Sequence, residues 1–428
     1  ADQTPLNNFF VSGIFATTEF REEIRDFNPT LSVLTPIGAT LSLEYNSHRR
    51  FADPVGARVL IFNPATTSYI EAKLTQPLLK KAGIFYNRSL IYIARNEKKV
   101  SLQAFKRTLI EVTNAVQRAY WDLVKAVEDL KVAHKSLQMA EEFLQKNKHQ
   151  VEAGLMAPIE IVVAEEEVAA RQEAIITTEN AVKDREDELK RLMNFIRPGG
   201  DPILTDMTIV PVDKPVFEVK KPSVVDSLKT ALENRPELFE NKLTMENADI
   251  RLKRRKNELL PQLDIEGGIR YSGLGPAWHN ATEAILTNAF QGEFVKFSLE
   301  VPIGLRAERA NLARARLERR QAELNISKTE QDILVQVRAA VRKVHTDTER
   351  IKATQKTRQL AQERLDAEEK KFAVGRSTNL EVLRAQESLS TAEGNENKAI
   401  TDYQISQGQL EAVMGTILER YGMIMEES

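Results

Sequence analysis

Cysteine is absent from the chain, which excludes disulfides, thiolate metal ligands and a cysteine nucleophile. That suits a periplasmic or surface protein and leaves the redox compartment open. No run of about 18 apolar residues occurs, so no transmembrane helix is expected. The opening residues, "ADQTPLNN", lack the basic head and apolar core of a signal peptide, so the chain is expected to be cytoplasmic, or else processed or incomplete. Excess charge of one sign is also missing, with a formal balance of -2. Nothing global points to nucleic acid or to an acidic substrate. The local run "RLKRRK" (251–256) reads as a solvated helix face.

Catalytic constellations are lacking too. His48, His134, His149, His279 and His345 show no metal-ligand spacing and read as surface residues. "GLG" at 273–275 follows a strand without the helix start that a phosphate site needs, so it reads as a turn. Carboxylates abound, but in the pattern of helix-face charge. No catalytic residue, cofactor or metal is expected, and the chain is not read as an enzyme.

What the sequence has is charge and small apolar residues: 29% charged, 42% hydrophobic and only 6% aromatic. That balance favours long Ala/Glu/Lys/Arg/Leu helices over a compact α/β enzyme. An internal repeat organises them. "VEAGLMAPIEIVVAEEEV" (151–168) aligns with "FAVGRSTNLEVLRAQESL" (372–389), Gly154 on Gly375, and the offset holds without a gap from about 105 to 194. Each copy reads as a helical hairpin. In the first, Val112, Val116, Ala119, Leu123, Ala126, Leu130, Ala133, Leu137, Ala140 and Leu144 follow the four-three spacing of a coiled-coil seam. Alternate alanines allow close approach of neighbouring helices. Gly154 and Gly375 mark hairpin tips, and Pro158 suits the first turn of the returning helix. The ascending arm from 89 to 153 would be roughly 95 Å long at 1.5 Å per residue.

Strands precede each hairpin. Leu41, Leu43 and Tyr45 alternate with polar residues, as do Ile70, Ala72 and Leu74. In the second copy Leu263, Ile265, Ile269 and Tyr271 alternate with Asp264, Glu266 and Arg270, and Val295, Phe297, Leu299 and Val301 alternate with Lys296, Ser298 and Glu300. Such strands suit either a half-buried soluble hairpin or the lipid face of a membrane barrel. The helices carry their own seams and leave the strands no other apolar partner, which favours lipid.

Together these residues resemble the TolC-like outer-membrane efflux protein family. The carriers are "LTQPLLKKAGIFYNRSLIYIARN" (74–96), "AYWDL" (119–123), "VEAGLMAPIEIVVAEEEV", "ENRPEL" (233–238), "LLPQLDIEGG" (259–268) and "VPIGLRAERA" (301–310). The resemblance implies a mainly α chain with a β-barrel portion. Long coiled-coil helical hairpins would form an α-barrel continuous with a trimeric 12-strand transmembrane β-barrel, four strands coming from each protomer. It implies a homotrimer in the outer membrane of a Gram-negative bacterium, extending into the periplasm and surrounded by outer-membrane lipid. A periplasmic adaptor (membrane fusion) protein and an inner-membrane pump would be its partners in drug, metal or protein export, with no nucleic acid involved.

Residue by residue, the resemblance implies adaptor contacts at Gly154, Leu155, Met156, Ala157 and Pro158 and at Gly375, Arg376, Ser377, Thr378 and Asn379. Two acidic residues often ring the family's closed aperture. Here Glu381 takes the first place and Arg384 the second, with Glu160 the counterpart in the first hairpin. A ring of Glu381 would attract cations, while Arg384 would pair with a carboxylate; as plain helix charges, they would do neither. The expected segments are 1–80 (first strands), 81–196 (first hairpin), 197–223 (connector), 224–260 (helices of the second repeat), 261–303 (second strands), 304–420 (second hairpin) and 421–428 (tail). The family's first helix pair and strand, with any lipid-bearing cysteine, are expected ahead of residue 1, so the chain is expected to be truncated. A soluble coiled-coil scaffold or surface adhesin without a pore is the alternative. It accounts for the heptads and not for strands at matching places in both copies.

Overall fold

The computed structural model describes residues 2–5, 19–52, 62–195, 207–213 and 221–423. Residues 197–206 and 214–220 of the expected connector lie outside the described residues, as do 6–18 and 53–61 of the first strand region and 424–428 of the tail. The elements, in order, are β1 (Asp2–Pro5), β2 (Glu19–Phe27), β3 (Thr30–Leu34), β4 (Thr40–Ala52), β5 (Ala65–Pro77), α1 (Ile84–Glu152), α2 (Ile159–Leu192), α3 (Val224–Asn234), α4 (Pro236–Asn257), β6 (Gln262–Gly275), α5 (Trp278–Leu286), β7 (Phe290–Glu300), α6 (Arg306–Ala373), α7 (Asn379–Met414) and α8 (Ile417–Arg420). The chain is mostly helical with a sheet portion. Two compact units divide it: Ala1–Lys98 with Leu243–Glu323, and Lys99–Lys242 with Leu324–Ser428.

The first unit holds one antiparallel sheet in the order β1-β2-β4-β5-β6-β7, with β3 also paired to β4. Register decides its chemistry, because side chains alternate faces along every strand. Leu41, Leu43 and Tyr45 oppose Leu74, Ala72 and Ile70. Ile70 and Ala72 in turn oppose Tyr271 and Ile269, and Leu263 and Ile265 oppose Leu299 and Phe297. One face is therefore apolar from β4 to β7, giving way on β7 to Glu293 and Gln291 opposite Ile269 and Tyr271, and no other element covers most of it: Val295, Phe297 and Leu299 are 71%, 68% and 65% exposed. The opposite face is polar. Glu44, Glu71 and Arg270 lie in one row across three strands. There the Arg270 Nε donates to Glu71 at 2.6 Å, the Tyr69 hydroxyl donates to Glu44 at 2.8 Å, and the Arg270 guanidinium sits 4.4 Å from the Tyr69 ring centre.

Three sequence expectations are corrected in this unit. "GLG" at 273–275 is the end of β6, not a turn. Its glycines give room for α5, since a Cβ on Gly273 would stand 1.9 Å from the Ala281 carbonyl oxygen. The loop after β6 contains that helix, which packs on β5 and β6 and buries Ala281 and Ile285. Finally, β7 begins at Phe290 and stops at Glu300, leaving Val301 just outside the strand. Pro302 has no N–H to continue the ladder.

Both passages from strand to helix use one device. Gly83 and Gly304, 221 residues apart, each take φ +91° with nothing within 4 Å of the missing Cβ, so what the position demands is left-handed backbone and not space.

Helix packing builds the second unit. Ala119 and Leu123 of the α1 seam pack with Leu189 of α2. A second buried stripe, which the seam does not contain, brings Phe143 of α1 against Ala361, Leu365, Val382, Leu383 and Leu389 of α6 and α7. A larger core joins Ala231 and Leu238 of α3 and α4 to Ile333, Val337, Val341, Val344 and Ile351 of α6 and to Tyr403 and Leu410 of α7. Burial on two flanks is what a helix needs in a single-layered wall; one seam alone would serve a two-stranded coil.

Gly273→Ala is expected to destabilise the α5 contact by about 1–3 kcal/mol, the usual range for overpacking, and to expose α5 to limited proteolysis. Gly292→Ala meets nothing within 4 Å and should leave both the melting temperature and the proteolysis unchanged. Equal behaviour of the two variants would contradict the packing.

Candidate functional site

Two tips, built from different residues, close with the same backbone bonds. At the first, Leu155 N–H donates to Gln150 O at 2.9 Å and Gly154 N–H to Val151 O at 2.9 Å. At the second, Arg376 N–H donates to Lys371 O at 2.8 Å and Gly375 N–H to Phe372 O at 3.0 Å. Each is a helix end closed through a left-handed glycine, with φ +72° at Gly154 and +71° at Gly375. The helices that return from them start differently. Pro158 precedes α2 without a side-chain cap, whereas Thr378 caps α7, its Oγ1 accepting from Glu381 N–H at 3.4 Å. Thr-x-x-Glu at a helix start is the capping-box pattern.

The expected contact residues are mostly on the surface. Gly154, Leu155, Ala157, Pro158, Gly375, Arg376 and Thr378 are exposed, and Met156 and Ser377 are half-buried. Leu155, Ile159, Val374 and Leu380 add apolar surface. Asn379 differs from this group, being only 4% exposed. Its amide donates to the Glu160 carboxylate at 2.9 Å and to the Glu160 carbonyl at 3.3 Å, and its Oδ1 accepts from Asn147 Nδ2 at 2.8 Å. Glu160, Asn147 and Asn379 thus tie the two hairpins together behind the tips. Asn147 is fully buried and its Oδ1 finds no partner.

The first-hairpin seam, read to Leu144, has Asn147 as its next position at the same spacing. A lone asparagine in an apolar seam is a recognised sign of a register-fixing contact, so the signal was there to be followed.

Glu381 and Arg384 stand together. Arg384 Nη1 donates to Glu381 Oε1 at 3.1 Å. The other carboxylate oxygen has Arg364 of α6 at 3.8 Å, a partner that spacing alone does not reveal. Both contacts are solvent-exposed and contribute only about 0.2–1 kcal/mol each, so their weight lies in local charge. Nearer the tip, the Glu368 carboxyl is held below its usual range, first by the Ser377 hydroxyl donating at 2.5 Å and then by Lys371 at 2.9 Å. Among the described residues no group of three or more metal-ligating side chains comes together, and no helix is long and apolar enough to cross a membrane.

Residues 40–194 and 227–416 match the outer membrane efflux protein family. No curated protein sequence matches the chain. The fold is similar to that of VceC from Vibrio cholerae, an outer membrane protein, at 14% identity and TM-score 0.67, covering 95% of this chain and 89% of that one. It is also similar to a membrane protein from Pseudomonas aeruginosa (17% identity, TM-score 0.66, 92% and 85% covered). A third is the MtrE outer membrane channel of Neisseria gonorrhoeae in its open state (16%, 0.63, 93% and 81%). At such identities the likeness is one of fold.

Two measurements check the tip geometry. Gly375→Val puts a β-branched side chain at φ +71°, a cost of about 1–2 kcal/mol or more; amide exchange over 368–380 should quicken while the sheet is unaffected. The depressed Glu368 carboxyl contributes stability that is present above the ordinary glutamate range and lost as pH falls through its lowered value. Ser377→Ala should move that loss to higher pH, as seen by NMR titration of Glu368. An unmoved titration would show that Ser377 does not hold the carboxylate.

Proposed function

The chain belongs to the outer membrane efflux protein family, and from that premise we propose that three copies form the passive exit channel of a tripartite efflux or type I secretion system. The family is one of Gram-negative outer-membrane channels reaching into the periplasm. The observation that carries the reading is the two-faced sheet. Its apolar face from β4 to β7 would be costly in water and suits hydrocarbon, while the Glu44–Glu71–Arg270 face suits a hydrated lumen. Strands β4, β5, β6 and β7 of three protomers would close a twelve-strand barrel, with the hairpins arranged as an α-barrel. A soluble scaffold or adhesin has no role for so much uncovered apolar sheet.

The tips would meet a periplasmic adaptor, which in turn engages an inner-membrane pump. Leu155, Met156, Ala157 and Pro158 with Arg376, Ser377 and Thr378 offer the contact, and Gly154 and Gly375 set the turns. Asn379 would act from inside, as part of the link with Asn147 and Glu160. The aperture assignment of Glu381, Arg384 and Glu160 takes a particular form here. With Arg384 and Arg364 on its two oxygens, each Glu381 is neutralised, and a ring of three would not be the strongly cation-attracting constriction that unpaired carboxylates make.

In planar bilayers at low salt, where the screening length is about 10 Å at 0.1 M, Arg384→Ala should raise cation preference and Glu381→Ala should lower it. Reversal potentials unchanged in both would remove these residues from the aperture. Wild-type protein that forms no channel at all would overturn the exit-duct reading itself.

A further inference from the structure

A closed barrel needs two free edges per protomer that match in strand direction, and among the described residues the two edges of this sheet, β7 on one side and β3 with β2 on the other, do not match. Among the described residues β7 pairs on one side only, with β6. Both sides of β4 are taken: β5 pairs with Thr40–Arg50 on one. On the other, β3 pairs with Thr40–Glu44 and β2 with Ser47–Ala52.

Strand direction shows which edge closure must use. Every pairing in the sheet is antiparallel, so β4 and β6 run one way while β2, β3, β5 and β7 run the other. If β7 met β4 of the next copy, antiparallel alternation would continue round the ring. If it met β2 or β3, the two strands would be parallel. β1 does not restore the alternation, because it pairs with Glu19–Glu22 of β2, away from the level of Leu41, Leu43 and Tyr45. A threefold, all-antiparallel wall therefore needs the very edge of β4 that β3 and β2 now occupy.

The occupying segment is suited to leave. It is held in two short ladders, five pairs from β3 and six from β2, where β7 is one strand of eleven residues, and Pro29 between them accepts from Tyr45 N–H at 3.0 Å but has no N–H to give. Like β7, β3 runs antiparallel to its partner and has its apolar residues on the apolar face: Leu31 opposes Leu43 and Val33 opposes Leu41. It offers β4 the backbone bonds and side-chain pattern that β7 of a second copy would offer, only for a shorter length.

We propose that β3, with β2 continuing it, is an intramolecular cap on the assembly edge of β4, and that β7 of a second copy displaces it when the barrel closes. An open edge strand with an apolar face is a template for uncontrolled pairing; the cap withholds it until the correct strand arrives. The proposal rests on the trimeric channel reading.

The chain has no cysteine, so paired cysteines test this directly. Ser32 and Ser42 are directly opposed across β3 and β4, and Ser47 and Ser68 across β4 and β5. In Ser32→Cys/Ser42→Cys, oxidation before insertion into liposomes should abolish the trimer on non-reducing, unheated gels, and reduction should restore it. Ser47→Cys/Ser68→Cys locks a pair that the barrel keeps, and it should form trimers in either redox state. Leu31→Asn, which weakens the cap without a cross-link, should speed trimer formation several-fold. Trimers formed equally by the oxidised Ser32/Ser42 variant, or a Leu31→Asn rate no faster than wild type, would overturn the cap while leaving the channel reading intact. A wild-type chain that never forms trimers would overturn both.

Discussion

Hydrocarbon offers no water to a backbone N–H or C=O, so a sheet placed there must satisfy every polar backbone group within itself. In the channel reading proposed above, much else in this protein follows from that requirement. It accounts for ladders that run without a bulge from β4 through β7, since a slip of one residue would turn the whole Leu/Ile/Phe set toward the lumen and Glu71 and Arg270 toward lipid. It makes the ends of the sheet, more than its middle, the places where assembly is decided. In that reading a single copy cannot close a barrel from four strands; among the described residues β7 is paired on one side only and β4 is covered by a segment of the same chain.

Helical parts meet a different demand. Helix α1 buries Leu123 toward α2 and Phe143 toward α6 and α7, the two-flanked burial that the proposed one-layer wall requires. Polar contacts then fix what apolar packing leaves adjustable. Asn147 and Asn379 hold the hairpins at one register next to Glu160, and an apolar pair there would allow neighbouring alignments of similar energy. The tips themselves need no side chain for their shape, because both close through backbone bonds and a left-handed glycine. That leaves Leu155, Met156 and Arg376 free for the contact role proposed above.

Much of this was legible in the sequence because it depends on period and on offset. Alternation placed β4 through β7, the four-three spacing placed the α1 seam, and the Gly154–Gly375 offset placed both tips. The same offset extends in the structure to Asn194 and Gly415, each ending its helix with positive φ. What escaped was decided by contacts between distant segments. Nothing local in "GLG" announces that Ala281 will lie against it, and heptad spacing cannot show the second stripe of α1. Likewise, Arg364 reaches Glu381 only because α6 and α7 pack side by side. The pairing of β3 with β4 is of the same kind: its alternation is visible, but its competition for an edge is not.

The central claim is that one face of the sheet meets lipid and the other meets water. Spin labels at single cysteines introduced in turn at Val295, Lys296, Phe297, Ser298 and Leu299, in protein reconstituted in liposomes, test it directly. The account requires high accessibility to oxygen at 295, 297 and 299 and high accessibility to a water-soluble nickel reagent at 296 and 298. Uniform accessibility along the strand, or water contact at all five positions, would contradict it.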